Sequence, residues 1–153
     1  VYTPRTFLTS GFQGTLGWGF AAGLGVKVGK PNTPVLSVNG DGGFMFNVQE
    51  MATAVRHRIN LVSVVFNDGA FGNVQRIQKL HYGNRTIASD LTNPDFCKLA
   101  ESCGVAGMRA TSPDALRARI EEAFKMDAPV LIDVPVGEMP DPWRLLMQTK
   151  VRG

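Results

Sequence analysis

Apolar residues along this chain cluster in short, nearly continuous runs rather than in strict alternation with polar ones. The runs at 61–66 and 130–136 carry apolar side chains at almost every position. Strands that are apolar on both faces are typical of parallel sheets covered by helices. The pattern therefore predicts strands at 35–38, 61–66, 104–109 and 130–136, with a short fifth candidate at 7–9.

Helical patterns separate these runs. The segment 14–28 is rich in small residues and predicts a helix suited to close packing, while 48–58 has apolar residues on one face. Asn93 and Ser112 are each followed by Pro and Asp, which predicts a capped helix start at both positions. The alternation of strands and helices predicts a single domain over 1–153, a three-layer α/β/α fold with a mainly parallel sheet.

Composition narrows the class of protein. The chain has 153 residues, of which 44% are apolar and 19% charged, with a formal net charge of +3. The basic residues are scattered, so a nucleic-acid partner is not expected, and no apolar run is long enough to predict a membrane helix. Cys97 and Cys103 give no disulfide framework, so we expect reduced thiols and a cytoplasmic protein. His57 and His81 flank no motif and are expected to be surface or loop residues.

Two of the predicted strands end in residues suited to ligand chemistry. The first leads into Gly40-Asp41-Gly42-Gly43, and the second leads into Asn67 and the turn that follows it. Ligands of open parallel sheets bind beyond the carboxyl ends of the strands. Carboxylate, amide and backbone carbonyl oxygens are the ligands that Mg²⁺ or Ca²⁺ prefers, and Mg²⁺ also takes phosphate oxygens. The pattern favours a divalent cation that bridges the protein to a diphosphate.

Three alternatives remain open at this point. Asp41 alone is equally consistent with a tight turn or a helix cap. The stretch 17–22 fits G-x-G-x-x-A, and Asp41 follows it at a distance suited to a dinucleotide-binding Rossmann domain of an oxidoreductase, although the glycines begin too late after the candidate strand. A segment with only an assembly role is the third alternative.

The spacing of the two loops resembles a known family. Gly40-Asp41-Gly42, then 24 intervening residues, then Asn67, is similar to the G-D-G…N motif of thiamine-diphosphate-dependent enzymes. The similarity covers nearly the whole chain, including 14–25, 48–54, 93–96 and 131–134. The subgroup that it resembles is the acetolactate-synthase-like decarboxylases and carboligases, which implies the thiamine-diphosphate-binding fold and action on a small-molecule 2-oxo acid.

The resemblance also implies roles for individual residues. Asp41 and Asn67 would bind Mg²⁺ through side-chain oxygens and Gly69 through its carbonyl, while Leu16 would support the bent cofactor and Gly14 would accept a hydrogen bond from its aminopyrimidine. For Leu16 an ordinary core position is the alternative. The expected contacts of thiamine diphosphate are Gly14, Leu16, Gly40, Asp41, Gly42, Gly43, Asn67, Gly69, Ala70 and Phe71. For Phe71 and Trp18, packing is favoured over catalysis.

The chain also departs from the family pattern. Asp68 follows Asn67 where many members have a second asparagine, and Asn73 lies near a substrate-pocket position. The family's activating glutamate lies on a pyrimidine-binding domain, usually of another subunit, so no catalytic residue is expected here; Glu50 is expected to be structural. The resemblance implies a homo-oligomer, dimer or tetramer. Because the family domain normally begins with a strand and helix before the position of Val1, we expect an N-terminally truncated piece of a longer chain.

Overall fold

The computed structural model describes residues 2–141, so the outer limits of the predicted 1–153 domain lie outside the described residues. Within the described part, four parallel strands form one sheet in the order β1-β2-β4-β3. The strands are β1 (Leu36–Gly40), β2 (Val62–Asn67), β3 (Ala106–Arg109) and β4 (Val130–Pro135). The α/β class and the parallel sheet are confirmed, and no strand limit differs from its predicted position by more than two residues.

Helices cover the two faces of the sheet, as the continuous apolar runs predict. They are α1 (Trp18–Gly29), α2 (Asp41–Met45), α3 (Glu50–Arg56), α4 (Gly72–His81), α5 (Phe96–Ser102) and α6 (Pro113–Ala123). One core cluster joins α1, α2, α3 and α5 to the sheet, with Phe44 and Phe96 buried at its centre. A second cluster packs α6 against the other face, where Val64 and Ile132 are buried. The predicted three layers are therefore present.

The helix predicted at 14–28 begins four residues later, at Trp18. Gly14 and Gly17 both have positive φ angles, 55° and 84°, which an α-helix does not accommodate. The predicted close packing of this helix is confirmed, because a Cβ added at Gly19 or Gly23 would approach side-chain atoms of β1 to 2.5 and 3.1 Å. The small residues let α1 approach the sheet edge.

Two features of the first third of the chain differ from the predicted pattern. Residues 7–9 form no strand, since Phe7 and Leu8 are exposed and have no neighbouring strand to pair with. In β1 the buried side chains are those of the polar residues Ser37 and Asn39. The apolar side chains of Leu36 and Val38 are exposed. Ser37 Oγ donates to the carbonyl of Gly19 at 3.0 Å, and Asn39 Nδ2 donates to Ser37 Oγ at 3.0 Å, so these polar groups are satisfied against α1.

The helix α4 has no counterpart in the predicted pattern. It buries none of its side chains, so its apolar residues do not face the core as those of the other helices do. Val74, Ile77 and Leu80 recur at three-residue spacing, and all three are exposed. That spacing is the signal from which the helix was predictable. Within residues 2–141 no helix is both long and apolar enough to cross a bilayer.

Candidate metal and diphosphate site

The two candidate loops lie side by side at the carboxyl edge of the sheet. β1 pairs in parallel with β2, and Gly40 lies opposite Phe66 in the register. Asp41 therefore leaves β1 beside the position where Asn67 ends β2. This register agrees with the prediction that the ends of these two strands contribute to one ligand site.

The carboxylate of Asp41 is buried and surrounded by donors from three segments. Its Oδ1 accepts from the backbone N–H of Gly42 at 2.8 Å, and its Oδ2 accepts from the backbone N–H of Gly69 at 2.8 Å. Its Oδ2 also accepts from Asn93 Nδ2 at 2.5 Å. The N-cap of α2 is Gly40, not Asp41, so the helix-cap alternative is wrong. The carboxylate joins the first turn of α2 to the loop after β2 and to Asn93.

Asn93 is the residue that sequence reasoning missed. It was predicted to cap a helix, but α5 is capped by Asp95, whose carboxylate accepts from the backbone N–H groups of Cys97 and Lys98. The amide of Asn93 instead lies between the two candidate ligands, 2.5 Å from Asp41 Oδ2 and 2.9 Å from Asn67 Oδ1. The Asn-Pro-Asp sequence offers two capping residues, and no local signal distinguishes which one turns towards the site.

The turn after β2 places Asp68 and Gly69 beside Asp41. Gly69 adopts a φ of 71°, a conformation that glycine accepts readily. Its carbonyl, the third expected ligand, accepts from the backbone N–H of Leu91 at 2.8 Å. A carbonyl oxygen has two lone pairs, so this bond leaves one for a cation.

A second carboxylate, Asp68, lies beside Asp41. Burial, and then the neighbouring negative charge of Asp41, raise the pKa of Asp68. In residues 2–141 no lysine, arginine or histidine forms an ion pair with either acid. Acidic groups that gather without a basic partner favour the binding of a cation.

The glycines of the first loop differ in their surroundings. A Cβ on Gly42 would lie 2.5 Å from the ring of Phe71, so close packing requires glycine there. The N–H of Gly42 already donates to Asp41. Gly43 has more space, and its nearest neighbour is Leu16, whose Cδ2 would lie 3.7 Å from an added Cβ. Gly40 is open, with no heavy atom within 4 Å of such a Cβ.

The remaining expected contacts lie at the rim of the site. Leu16 is 48% exposed, so it is not an ordinary core leucine. Gly14 is exposed two residues before it, after a 3-10 turn. Ala70 pairs with Asp90 in an isolated bridge, and Phe71 packs on Gly42, as favoured from the sequence. The structure thus gathers Asp41, Asn67, Gly69 and Gly42 closely, and Gly43 and Leu16 beside them.

The donor set fits a hard divalent cation that keeps some ligands from elsewhere. Within the described residues no group of three or more His, Cys, Asp or Glu side chains is arranged to hold a metal ion. Asp41, Asn67 and Gly69 offer one carboxylate, one amide oxygen and one carbonyl, which is fewer than the six oxygens of an octahedral Mg²⁺ site. Phosphate oxygens and water are the usual source of the rest.

Comparison with known proteins agrees with this chemistry. Residues 1–134 match the family model described as "Thiamine pyrophosphate enzyme, C-terminal TPP binding domain". The chain is 44% identical over 134 residues to a probable acetolactate synthase large subunit of Methanocaldococcus jannaschii, covering 87% of this chain and 23% of that protein. It is 36% identical over 144 residues to the acetolactate synthase isozyme 2 large subunit of Escherichia coli K12, covering 94% of this chain and 26% of that protein.

A solved structure shares the fold. The thiamine diphosphate-dependent 4-hydroxybenzoylformate decarboxylase of Rhodococcus jostii RHA1 superposes with a TM-score of 0.78 at 27% identity, covering 84% of this chain and 24% of that one. The chain thus spans about a quarter of the length of these relatives. The Rossmann alternative finds no support, since no strand precedes Gly17 within the described residues. By its sequence, fold and paired strand-end loops, the chain belongs to the thiamine pyrophosphate enzymes, as their C-terminal TPP-binding domain.

Proposed function

We propose that this chain binds the Mg²⁺-diphosphate end of thiamine diphosphate, with Asp41, Asn67 and Gly69 as the metal ligands. One observation carries the proposal. Asp41 Oδ2 and Asn67 Oδ1, from different loops, converge on the same NH₂ group of Asn93, at 2.5 and 2.9 Å. The NH₂ group carries a positive partial charge. The oxygens of Asp41 and Asn67 therefore already converge on a position that would also attract a cation.

Leu16 and Gly14 support the assignment of the other end of the cofactor. Leu16 lies over Gly43, next to the carboxylate loop, and half of its surface is open to a ligand. An apolar side chain in that place would pack on the cofactor between its rings, and the exposed Gly14 would accept from the aminopyrimidine through its carbonyl. When bound, the cofactor supplies a nucleophilic carbon and an electron sink. This chain's residues hold the cofactor and orient it.

The relatives, of which this chain spans about a quarter, support a proposal for the activity of the whole protein. We propose an acetolactate-synthase-like decarboxylase or carboligase that acts on a 2-oxo acid. We place the activating glutamate on a pyrimidine-binding domain of another subunit, in a homo-oligomer. We do not expect Glu50 to take its place, because the carboxylate of Glu50 accepts from Thr53 Oγ1 at 2.7 Å at the start of α3. The free thiols of Cys97 and Cys103 support a cytoplasmic location.

Removing the carboxylate of Asp41 tests the proposed function. In the full-length protein, Asp41→Ala should weaken Mg²⁺-dependent binding of thiamine diphosphate by about 100-fold or more, because a direct ligand matters more than its outer-shell partners. Asp114→Ala, at an exposed acid in the first turn of α6, is the matched control and should leave the affinity unchanged. Isothermal titration calorimetry measures both. Unchanged affinity in Asp41→Ala, or wild-type protein stabilised by NAD and not by Mg²⁺ with thiamine diphosphate, contradicts the proposal.

A further inference from the structure

A buried carboxylate, paired with a partly exposed arginine, lies directly behind the candidate ligand Asn67. Asp133, on the central strand β4, is 1% exposed. Its Oδ2 accepts from Arg109 Nε at 3.0 Å, and its Oδ1 accepts from Asn67 Nδ2 at 3.3 Å. Arg109 pairs opposite Asp133 in the sheet register, and Asn67 lies two residues along the neighbouring strand on the same face. Hydrogen bonds thus connect the edge strand β3, through Asp133, to Asn67 at the candidate site.

These hydrogen bonds fix the orientation of the side-chain amide of Asn67. A carboxylate beside a guanidinium can only accept hydrogen bonds. The NH₂ end of the Asn67 amide must therefore face Asp133, and its oxygen must face the opposite way. The two ends of an amide have nearly the same shape, so packing alone does not choose between them. The oxygen that faces away from Asp133 is the one that accepts from Asn93 beside Asp41.

We propose that Asp133, held by Arg109, is a positioning residue that sets the amide orientation of Asn67 and thereby the affinity of the site for a divalent cation. This inference rests on the proposed function, since it assigns a role to a residue behind the proposed Mg²⁺ ligand. Burying a carboxylate is costly unless it is paired, and both oxygens of Asp133 accept hydrogen bonds, from Arg109 and from Asn67. The buried carboxylate thereby keeps the oxygen of Asn67 aimed at the proposed metal.

The substitution Asp133→Asn exposes this role because it keeps the size of the side chain. Arg109 Nε and Asn67 Nδ2 both require an acceptor, and the new amide has only one oxygen. When that oxygen faces the guanidinium, its NH₂ group faces Asn67, which must turn its own oxygen away from the metal. Partners of metal ligands typically contribute about 10- to 100-fold in metal affinity, and we expect a loss in that range.

The second substitution, Asn67→Asp, separates orientation from charge. Alone, it sets two carboxylates against each other at the 3.3 Å contact, so we expect weaker binding of Mg²⁺. Combined with Asp133→Asn, it restores every donor and acceptor. Arg109 then donates to the oxygen of the amide introduced on β4, and the NH₂ group of that amide donates to the carboxylate introduced on β2, whose other oxygen faces the metal. The double variant should bind Mg²⁺ within about threefold of wild type or more tightly.

The experiment is calorimetry of Mg²⁺ binding in the presence of thiamine diphosphate, using the full-length protein and its three variants. Ile132→Val, on the same strand but in the opposite core cluster, is the control and should bind as wild type does. Unchanged affinity in Asp133→Asn, tighter binding in Asn67→Asp alone, or a folded double variant that binds no better than Asn67→Asp would overturn the inference. If Asp133→Asn does not fold, the comparison of Asn67→Asp with the double variant still decides. Wild-type protein that binds no Mg²⁺ under these conditions refutes the proposed function instead.

Discussion

The two ends of the candidate site are built in different ways. At the metal end, Asp41 is 1% exposed and its carboxylate is held by donors from Gly42, Gly69 and Asn93. At the ring end, Gly14 and Leu16 lie on an exposed segment that precedes α1. The metal end is therefore held together by contacts within this domain, whereas the ring end is an exposed surface.

The difference indicates where a partner is needed. Groups that are buried and hydrogen-bonded need no further element to hold their geometry, whereas an exposed apolar side chain such as Leu16 gains most from a covering surface. Phe46, which lies against Gly17, adds exposed apolar area near Leu16, and Leu36 and Val38 add more on β1. We therefore expect the metal end to tolerate isolation of the domain, and catalysis to require the partner.

The largest expected effect is on catalysis by the isolated 153-residue chain, which should show no turnover. An acid or base must come within about 3 Å of its proton, directly or through one water. None of the five glutamates belongs to either ligand loop, and Glu138 is paired with Lys79 at 2.8 Å. Incubation with pyruvate, thiamine diphosphate and Mg²⁺ should release carbon dioxide no faster than the cofactor alone. Sustained release above that control would show that the catalytic group lies in this domain.

Truncation at the ring end should damage catalysis more than folding. In the full-length protein, Leu16→Ala should lower turnover about 10- to 100-fold, because the cofactor loses its support and shifts from its reactive position. Leu16 is half exposed, so its loss should cost less than the roughly 2–5 kcal/mol typical of a buried leucine.

Leu24→Ala is the matched comparison for Leu16→Ala. Leu24 is 6% exposed and belongs to the core on the adjoining helix α1. That variant should lose roughly 2–5 kcal/mol of unfolding free energy and keep its turnover per folded molecule. Urea denaturation together with steady-state kinetics measures both quantities. If Leu16→Ala instead loses that much unfolding free energy and keeps its turnover per folded molecule, Leu16 is a packing residue.

A methyl group added at the metal end should destabilise the fold. Gly42→Ala places a Cβ 2.5 Å from the ring of Phe71, so the ring must move, at a cost of roughly 1–3 kcal/mol. Gly40→Ala adds the same methyl group into open space and should change the unfolding free energy by less than about 0.5 kcal/mol. Thermal and urea denaturation of the two variants measure the difference. Equal stabilities would mean that the loop is looser than its contacts indicate.

The smallest expected effect is a pH dependence behind the metal end. Hydrogen bonding from the backbone N–H of Lys98, and the nearby charge of Arg109, lower the pKa of Asp95. A carboxyl group with a lowered pKa in the folded state stabilises the fold above its unfolded-state pKa, and this contribution is lost as the pH falls through the folded value. The loss should therefore occur below about pH 4.

Asp95→Asn isolates this contribution, because asparagine also caps helices but does not titrate. Urea denaturation between about pH 5 and pH 2.5 should show wild-type stability falling more steeply than that of the variant. Parallel curves would mean that Asp95 contributes no pH dependence.

The sequence was most informative where neighbouring residues carry the signal. β2 and β4 were predictable because a strand in the middle of a parallel sheet is apolar on both faces. The pairing of Asp41 with the Asn67 loop was predictable because parallel strands end at one edge. Ser112 was correctly predicted as a cap, since its hydroxyl accepts from the backbone N–H of Ala115 within the same turn.

Features that depend on distant contacts were not predictable. Asn93 meets Asp41 across 52 positions, and Asn67 meets Asp133 across 66. A local pattern contains no record of such partners, so Asn93 was assigned the role that its immediate neighbours suggest. The exposure of Leu36 and Val38 was not predictable for the same reason, because the edge position of β1 is a property of the whole sheet.

The contact between Gly17 and Asn47 links the two ends of the site at a fixed spacing. Asn47 Nδ2 donates to the Gly17 carbonyl at 2.7 Å, and a Cβ on Gly17 would lie 2.7 Å from the same nitrogen. Leu16 immediately precedes this contact, and Asn47 follows the helix that begins at Asp41. The spacing between Leu16 and the Asp41 loop is therefore held by a contact within the protein. Under the proposed function, we expect this spacing to favour thiamine diphosphate over thiamine esters that carry one phosphate or three.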